Sequence, residues 1–352
     1  MPSVMRILAS EKYLMVALEP TTVEIILLTP NYFRPNPLTA KSDIRKSYDP
    51  RNFNSMEDVL ETFFGETSVG TNDVKMYVVI SFHGPTEGNA KFVKFSDWNL
   101  NADTICKKFD IEEVFICNKT KLISHSLTAN GNKSILSNFI DLNMGSTRNP
   151  DAVSIVIEFE PMTFMYVVKD AIESECDHIE FEPLNQEEVQ INSFFKEFLD
   201  VQKVDIGDVL SRKGLDIIYA YCCEKNLGAV NNEISERVSN SKIPGKVICE
   251  LAFEKEDEIC EIAVETFTEI LASQIGNMAM QFFPFGGIFI VGDFIPEFMK
   301  QVDVKVFRES FKDKDKSNLL TLIPFFLQKL DGRELELEST KHLLSKKLAT
   351  KV

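Results

Sequence analysis

The sequence predicts an α/β fold made of two related domains around a cleft, and three observations predict it. An opening of three short strands recurs roughly 150 residues later. Continuous apolar runs, the mark of strands buried on both faces, flank a helical segment. The C-terminal half carries long amphipathic helices.

The first opening is read from Val4–Ala9, Tyr13–Leu18 and Val23–Leu28. Its turns fall at Ser10-Glu11-Lys12 and Glu19-Pro20-Thr21-Thr22. Residues 29–55 are polar and proline-rich and read as a loop, and Ser55 is placed to cap a helix over Met56–Phe64. Met76–Phe82 and Val114–Cys117 are buried strands with a helix over Asp103–Phe109 between them, which predicts a parallel crossover. The second opening comprises Val153–Phe159, Thr163–Val168 and Ile179–Phe181. So long a period suits a duplicated domain and not a solenoid. Asn185 with Glu188 forms a capping box before a helix that runs to Leu199. Apolar spacing predicts a long helix over Glu256–Phe283, stopped by Pro284. Gly286-Gly287 then turns the chain into a short strand, and Ser339–Val352 reads as a basic, solvated last helix. The domain boundary is expected near residue 125, giving domains 1–125 and 126–352, with the C-terminal segment able to pack back on the first.

Composition narrows the function. A net charge of −16 repels polyanions, so neither nucleic acid nor membrane is an expected partner. Seven cysteines without CxxC spacing, and no secretory opening, predict reduced thiols and a cytoplasmic location. Four histidines without paired spacing predict no metal site. Only 15 of 352 residues are glycine, few for a chain whose backbone must approach phosphate.

Six segments together resemble the bacterial-type glucokinase family of the hexokinase/actin-like superfamily. Phe285–Phe298 is similar to the family's GG-[VI]-[FY]-I-x-GG-I-x-P-x-[FL] segment, Val209–Leu215 to VLSGPGL, and Glu175–Pro183 to EGGHVDFAP. His83-Gly84-Pro85, Phe95–Trp98 and Val114–Lys119 follow in the family's order. The resemblance implies the duplicated actin-like, hexokinase-type (ribonuclease H-like) fold, with sugar and nucleotide meeting between the domains.

It also implies which positions carry the chemistry. The first phosphate loop, D-x-GGTN in the family, is matched to Ser10, Glu11 and Lys12. The second, G-x-GTGLG, is matched to Glu158–Thr163. There Pro161 removes a donor, and Glu158 and Glu160 place negative charge where phosphate would sit. The family's general base, an Asp, is matched by Lys119. A lysine with an ordinary pKa near 10.4 is protonated at neutral pH and cannot take a hydroxyl proton. Asn118, Glu175 and His178 match sugar contacts. On the adenosine side, Arg212-Lys213 and Asp293 replace family residues.

Read this way, the chain is expected not to be an enzyme. It is expected to be a glucokinase-like pseudoenzyme without cofactors, acting through protein partners as a structural or interaction protein within a larger assembly, whether cytoskeletal, ciliary or another. Two alternatives stand beside that expectation: a non-catalytic sugar or metabolite sensor, and a weak ATP-dependent hexose kinase using displaced residues.

Overall fold

The computed structural model describes residues 11–350 apart from 31–37, 70–74, 85, 88–89, 93–96, 129–132, 143–144, 146–147, 160–163, 169–171, 176–178, 315–316 and 331. By contacts the chain divides into two compact units, Met1–Leu136 with Arg333–Val352, and Ser137–Gly332. The sequence places the boundary near residue 125. The later division reflects the helical residues that follow the first sheet, whose Leu122 is buried in the first unit's core.

The first unit contains β1 (Glu11–Leu18), β2 (Val23–Pro30), β3 (Leu38–Tyr48), α1 (Met56–Thr67), β4 (Lys75–Phe82), β5 (Thr86–Glu87), β6 (Ala90–Phe92) and β7 (Asn99–Asn101). It continues with α2 (Ala102–Phe109), β8 (Glu113–Asn118), α3 (Lys119–Thr128) and α4 (Lys133–Leu136). Its main sheet has the order β3-β2-β1-β4-β8, antiparallel between β1, β2 and β3 and parallel between β1, β4 and β8. The strands β5, β6 and β7 form a separate small sheet.

The second unit contains β9 (Phe139–Asp141), β10 (Ser154–Glu158), β11 (Phe164–Val168), β12 (Ile172–Glu175), α5 (Gln186–Leu199), α6 (Ile206–Val209), α7 (Arg212–Glu224), α8 (Asn232–Ser239) and α9 (Pro244–Phe253). It ends with α10 (Glu258–Phe282), β13 (Gly287–Val291), α11 (Ile295–Met299), α12 (Val304–Lys312), α13 (Ser317–Leu320) and β14 (Phe325–Gln328). Its sheet order, β12-β11-β10-β13-β14-β9, repeats the first unit's pattern and adds one edge strand. Each sheet opens with three antiparallel strands, and the first of them lies parallel to two later strands. That is the duplication the two openings predict. The last helix, α14 (Gly332–Thr350), belongs to the first unit.

Local chemistry accounts for most boundaries. Ser55 accepts the Asp58 amide and caps α1. Asn185 accepts the Glu188 amide, while the Glu188 carboxylate accepts the Leu184 amide and a side-chain N–H of Asn185. Phe283 adopts a left-handed conformation and closes α10 one residue before Pro284.

Three expectations are corrected. Residues 38–48 form β3, an edge strand whose solvent-facing residues hide its alternation behind polar composition. The third strand of the second opening is β12, not Ile179–Phe181, because β11 pairs with Ile172–Glu175; Glu180 makes only an isolated bridge to Asp205. The last helix begins at Gly332 and is not solvated, since Leu335, Glu336, Leu337, Ser339, Thr340 and Leu344 are buried.

Parallel neighbours in register present their side chains to the same face, so the first sheet has two distinct sides. Leu14, Val16, Leu18, Val78, Ile80, Phe82 and Val114 face one core with residues of α1 and α2. Tyr13, Met15, Ala17, Tyr77 and Val79 face the other, with Leu122 of α3 and Leu337 and Leu344 of α14. In the second unit Phe307 and Phe311 each pack edge to face on Phe325, with Phe311 and Phe325 centroids 4.8 Å apart. Such a pair adds about 0.5–1.5 kcal/mol beyond its buried area.

Gly287 opens β13 at a φ of +113°, and a Cβ there would lie 2.7 Å from the Phe326 ring. Gly287→Ala is therefore expected to cost about 1–3 kcal/mol through backbone strain alone. Thermal unfolding checks this; an unchanged Tm would contradict the β13–β14 geometry described above.

Candidate functional site

Open α/β sheets bind ligands beyond the carboxyl ends of their parallel strands. In the first unit the register there is tight. Leu18 pairs with Phe82, and Phe82 with Asn118. The next residue on each strand is Glu19, His83 and Lys119 in turn. One step past an in-register row, these three side chains emerge on the same face, the one covered by α14.

They meet there. Lys119 Nζ lies 3.2 Å from Glu19 Oε1, and His83 Nε2 lies 3.0 Å from Glu19 Oε2. The His83 side chain is 1% exposed and that of Lys119 5%, against 17% for Glu19, so the carboxylate is the most accessible of the three. His83 Nδ1 is buried with no hydrogen-bond partner among the described residues.

Residues of α14 complete the cluster. Arg333 NH2 stands 3.7 Å from Glu19 Oε1, its Nε 3.0 Å from Glu24 Oε2, and its NH1 3.0 Å from Glu336 Oε2. Ser81 Oγ contacts both the Glu336 carboxyl and the Val16 carbonyl. Burial pushes the Glu19 carboxyl up, but Lys119 first, then His83 and Arg333, outweigh it and hold Glu19 well below the ordinary carboxylate range. For Glu336 the balance reverses. Complete burial pushes its carboxyl up against the pull of Arg333 and Lys119.

The residues singled out in the sequence fall as follows. Lys119 is in the cluster. Asn118 lies behind it on the other face, where its side chain donates to the Gly84 carbonyl and accepts the Lys121 amide, capping α3. Ser10 lies outside the described residues. Glu11 and Lys12 do not form a turn: they open β1, at the end opposite the cluster, because the strand parallel to β4 starts at Glu11. The turn that joins the first two strands of the sheet is Glu19–Thr22, closed by Glu19 N–H to the Thr22 carbonyl at 2.9 Å. Glu158 ends β10 and is fully buried. Glu160, Pro161 and His178 lie outside the described residues, and Glu175 ends β12. Arg212 and Asp293 line a cavity of about 320 Å³ in the second unit with Phe253 and Phe298, and the Arg212 guanidinium lies 5.2 Å from the Phe294 ring.

Sequence reasoning missed Glu19 and Arg333. The signal for Glu19 was present as the turn Glu19-Pro20-Thr21-Thr22; the strand read over Val4–Ala9 lies outside the described residues.

Comparison with known proteins gives a consistent picture. The family model described as Glucokinase matches residues 33–329. A glucokinase of Nostoc punctiforme is 20% identical over 299 residues, covering 80% of this chain and 86% of the relative. One of Colwellia psychrerythraea is 30% identical over 155 residues, 44% of each chain. Among solved structures, glucokinase from Balamuthia mandrillaris in complex with glucose superposes with a TM-score of 0.70 at 15% identity, covering 97% of both chains. A ROK family glucokinase from Streptomyces griseus in complex with glucose and AMPPNP gives 0.57 at 12%, covering 94% of this chain and 98% of that one. The likeness establishes the actin-like, hexokinase-type fold. The expectation that the chain is not an enzyme is overturned by the family match and by these glucokinase relatives, which point to a sugar kinase. That expectation rested on Lys119 and on turns without glycine, and the structure places the Glu19 carboxylate 3.2 Å from that lysine.

Glu19 also sets an expectation for acid. A carboxyl whose folded-state pKa is depressed adds stability above its unfolded value, near 4.5, and loses it as the pH falls through the folded one. Urea unfolding from pH 7 to pH 3 should show native stability falling below about pH 4.5, and falling less steeply in Glu19→Gln. Identical slopes would show that Glu19 is not held ionised by its neighbours.

Proposed function

Because this chain belongs to the glucokinase family, we propose that it is a weak ATP-dependent hexose kinase that transfers the γ-phosphoryl group of MgATP to the 6-hydroxyl of glucose. The observation that carries this reading is the Glu19 carboxylate, 3.2 Å from Lys119 at the carboxyl ends of three parallel strands.

Each residue has a stated role. The sugar hydroxyl oxygen bonds to the γ-phosphorus, the bond from that phosphorus to the β–γ bridging oxygen breaks, and ADP leaves with the electron pair. Glu19 accepts the hydroxyl proton. Lys119, protonated and close to Glu19, offsets the charge of the transferring group. Phosphoryl transfer passes through a loose transition state in which positioning and charge matter more than strong base catalysis, so a carboxylate of low basicity can serve. Among the described residues no cluster of three or more His, Cys, Asp or Glu side chains could hold a metal ion, so magnesium is taken to enter with the nucleotide's phosphates.

Two features support slow turnover. A general base works best with a pKa near the operating pH, and Glu19 is held far below it. The turn after β1 has Pro20 where an N–H could reach phosphate, and it uses the Glu19 and Thr22 amides internally.

A coupled assay of purified protein with glucose and MgATP should detect slow formation of glucose 6-phosphate. Glu19→Gln should lower the rate about 10²-fold or more. No product above a protein-free control, or a Glu19→Gln variant as fast as the native chain, would contradict the proposal.

A further inference from the structure

We propose that Arg333, on the C-terminal helix, is the positioning residue of this site: its guanidinium braces the Glu19 carboxylate against Lys119 and fixes where that carboxylate points. The inference rests on the kinase reading in taking Glu19 as the proton acceptor.

Glu19 needs such a brace. Its backbone is held in the turn, with the N–H on the Thr22 carbonyl at 2.9 Å, which leaves the direction of the side chain to its neighbours. Its orientation comes from cations. Lys119 offers a point charge on a flexible stem, whereas an arginine offers a planar fork with fixed directions. The fork of Arg333 is itself held on three sides. Nε takes Glu24 on β2, NH1 takes Glu336 one turn along α14, and NH2 reaches Glu19.

The holding groups are anchored in turn. Glu24 is 8% exposed and also takes Arg45 at 2.5 Å. Glu336 is 1% exposed and bonded to Ser81, two residues before His83 on β4. Farther along α14, Ser339 meets Ser126 of α3 at 3.2 Å, and Leu337 and Leu344 pack beneath the sheet. The titratable and charged groups that face Glu19 are Lys119 from α3, His83 from the end of β4 and Arg333 from α14, with Glu24 and Glu336 behind Arg333. A helix whose buried face carries Arg333, Glu336 and Ser339 on successive turns packs worse than an apolar one, since each buried polar group must find a partner. Here every one of them finds its partner in the cluster or beside it.

The test follows the Glu19 carboxyl by carbon-13 NMR titration in the full chain, together with glucose phosphorylation. In Arg333→Met the Glu19 midpoint should rise, since Arg333 is one of the cations that hold it down. Its kcat should fall about tenfold while KM for glucose stays within about twofold. Arg333→Lys, which keeps the charge, should return the midpoint towards the native one and recover part of kcat. If Arg333→Met does not fold, Arg333→Met with Glu336→Gln removes the carboxylate left unpaired and carries the same comparison. A midpoint that does not move in any of these variants, or a loss of kcat that Arg333→Lys does not relieve, overturns the proposal. The midpoint is read without turnover. A chain with no glucose phosphorylation but a shifted midpoint therefore counts against the kinase reading and for the brace, and an active chain with an unmoved midpoint counts the other way.

Discussion

The ion pair between Glu19 and Lys119 is the interaction around which the first unit's polar cluster is built, and the strand register makes it. With Leu18, Phe82 and Asn118 in one row, the residues that follow must share a face. At 3.2 Å two opposite charges attract by about 5 kcal/mol at the effective dielectric of a protein. Removing them from water costs several kcal/mol per ion. The net gain is small, but removing one partner strands the other, which is why such a pair specifies geometry more than it adds stability. Arg333, His83 and Glu336 are arranged around that pair, and the C-terminal helix is drawn to the first unit's sheet with polar residues on its buried face.

Both sheets were legible wherever burial dictated composition. Met76–Phe82 is apolar but for Ser81 because β4 lies between β1 and β8 with a core on each side. The helix cap at Asn185 was legible because its chemistry is local. The edge strand β3 was not, because an edge strand needs only residues such as Ile44 and Tyr48 for the core and leaves the rest polar.

The site was half legible. Lys119 follows an obvious strand and was found. Glu19 follows an equally obvious strand, but its importance depends on which strand lies parallel to β4, and that is a fact of pairing that one-dimensional periodicity does not carry. Arg333 was hidden for a different reason. Its helix has no clean apolar stripe, since the half-buried Arg333 starts a face whose buried part holds Glu336, Ser339 and Thr340 as much as leucines. A polar face that is buried reads as a solvated one until its partners are known. The expectation of an inert chain rested on Lys119 and on glycine-poor turns, and the family match overturns it.

A double-mutant cycle between Glu19→Gln and Lys119→Met tests the central claim most directly, read as unfolding free energy at pH 7. The account predicts that the two losses do not add, with a coupling of about 1–3 kcal/mol. Losses that add within about 0.5 kcal/mol would contradict it, because the two side chains would then not be energetically joined.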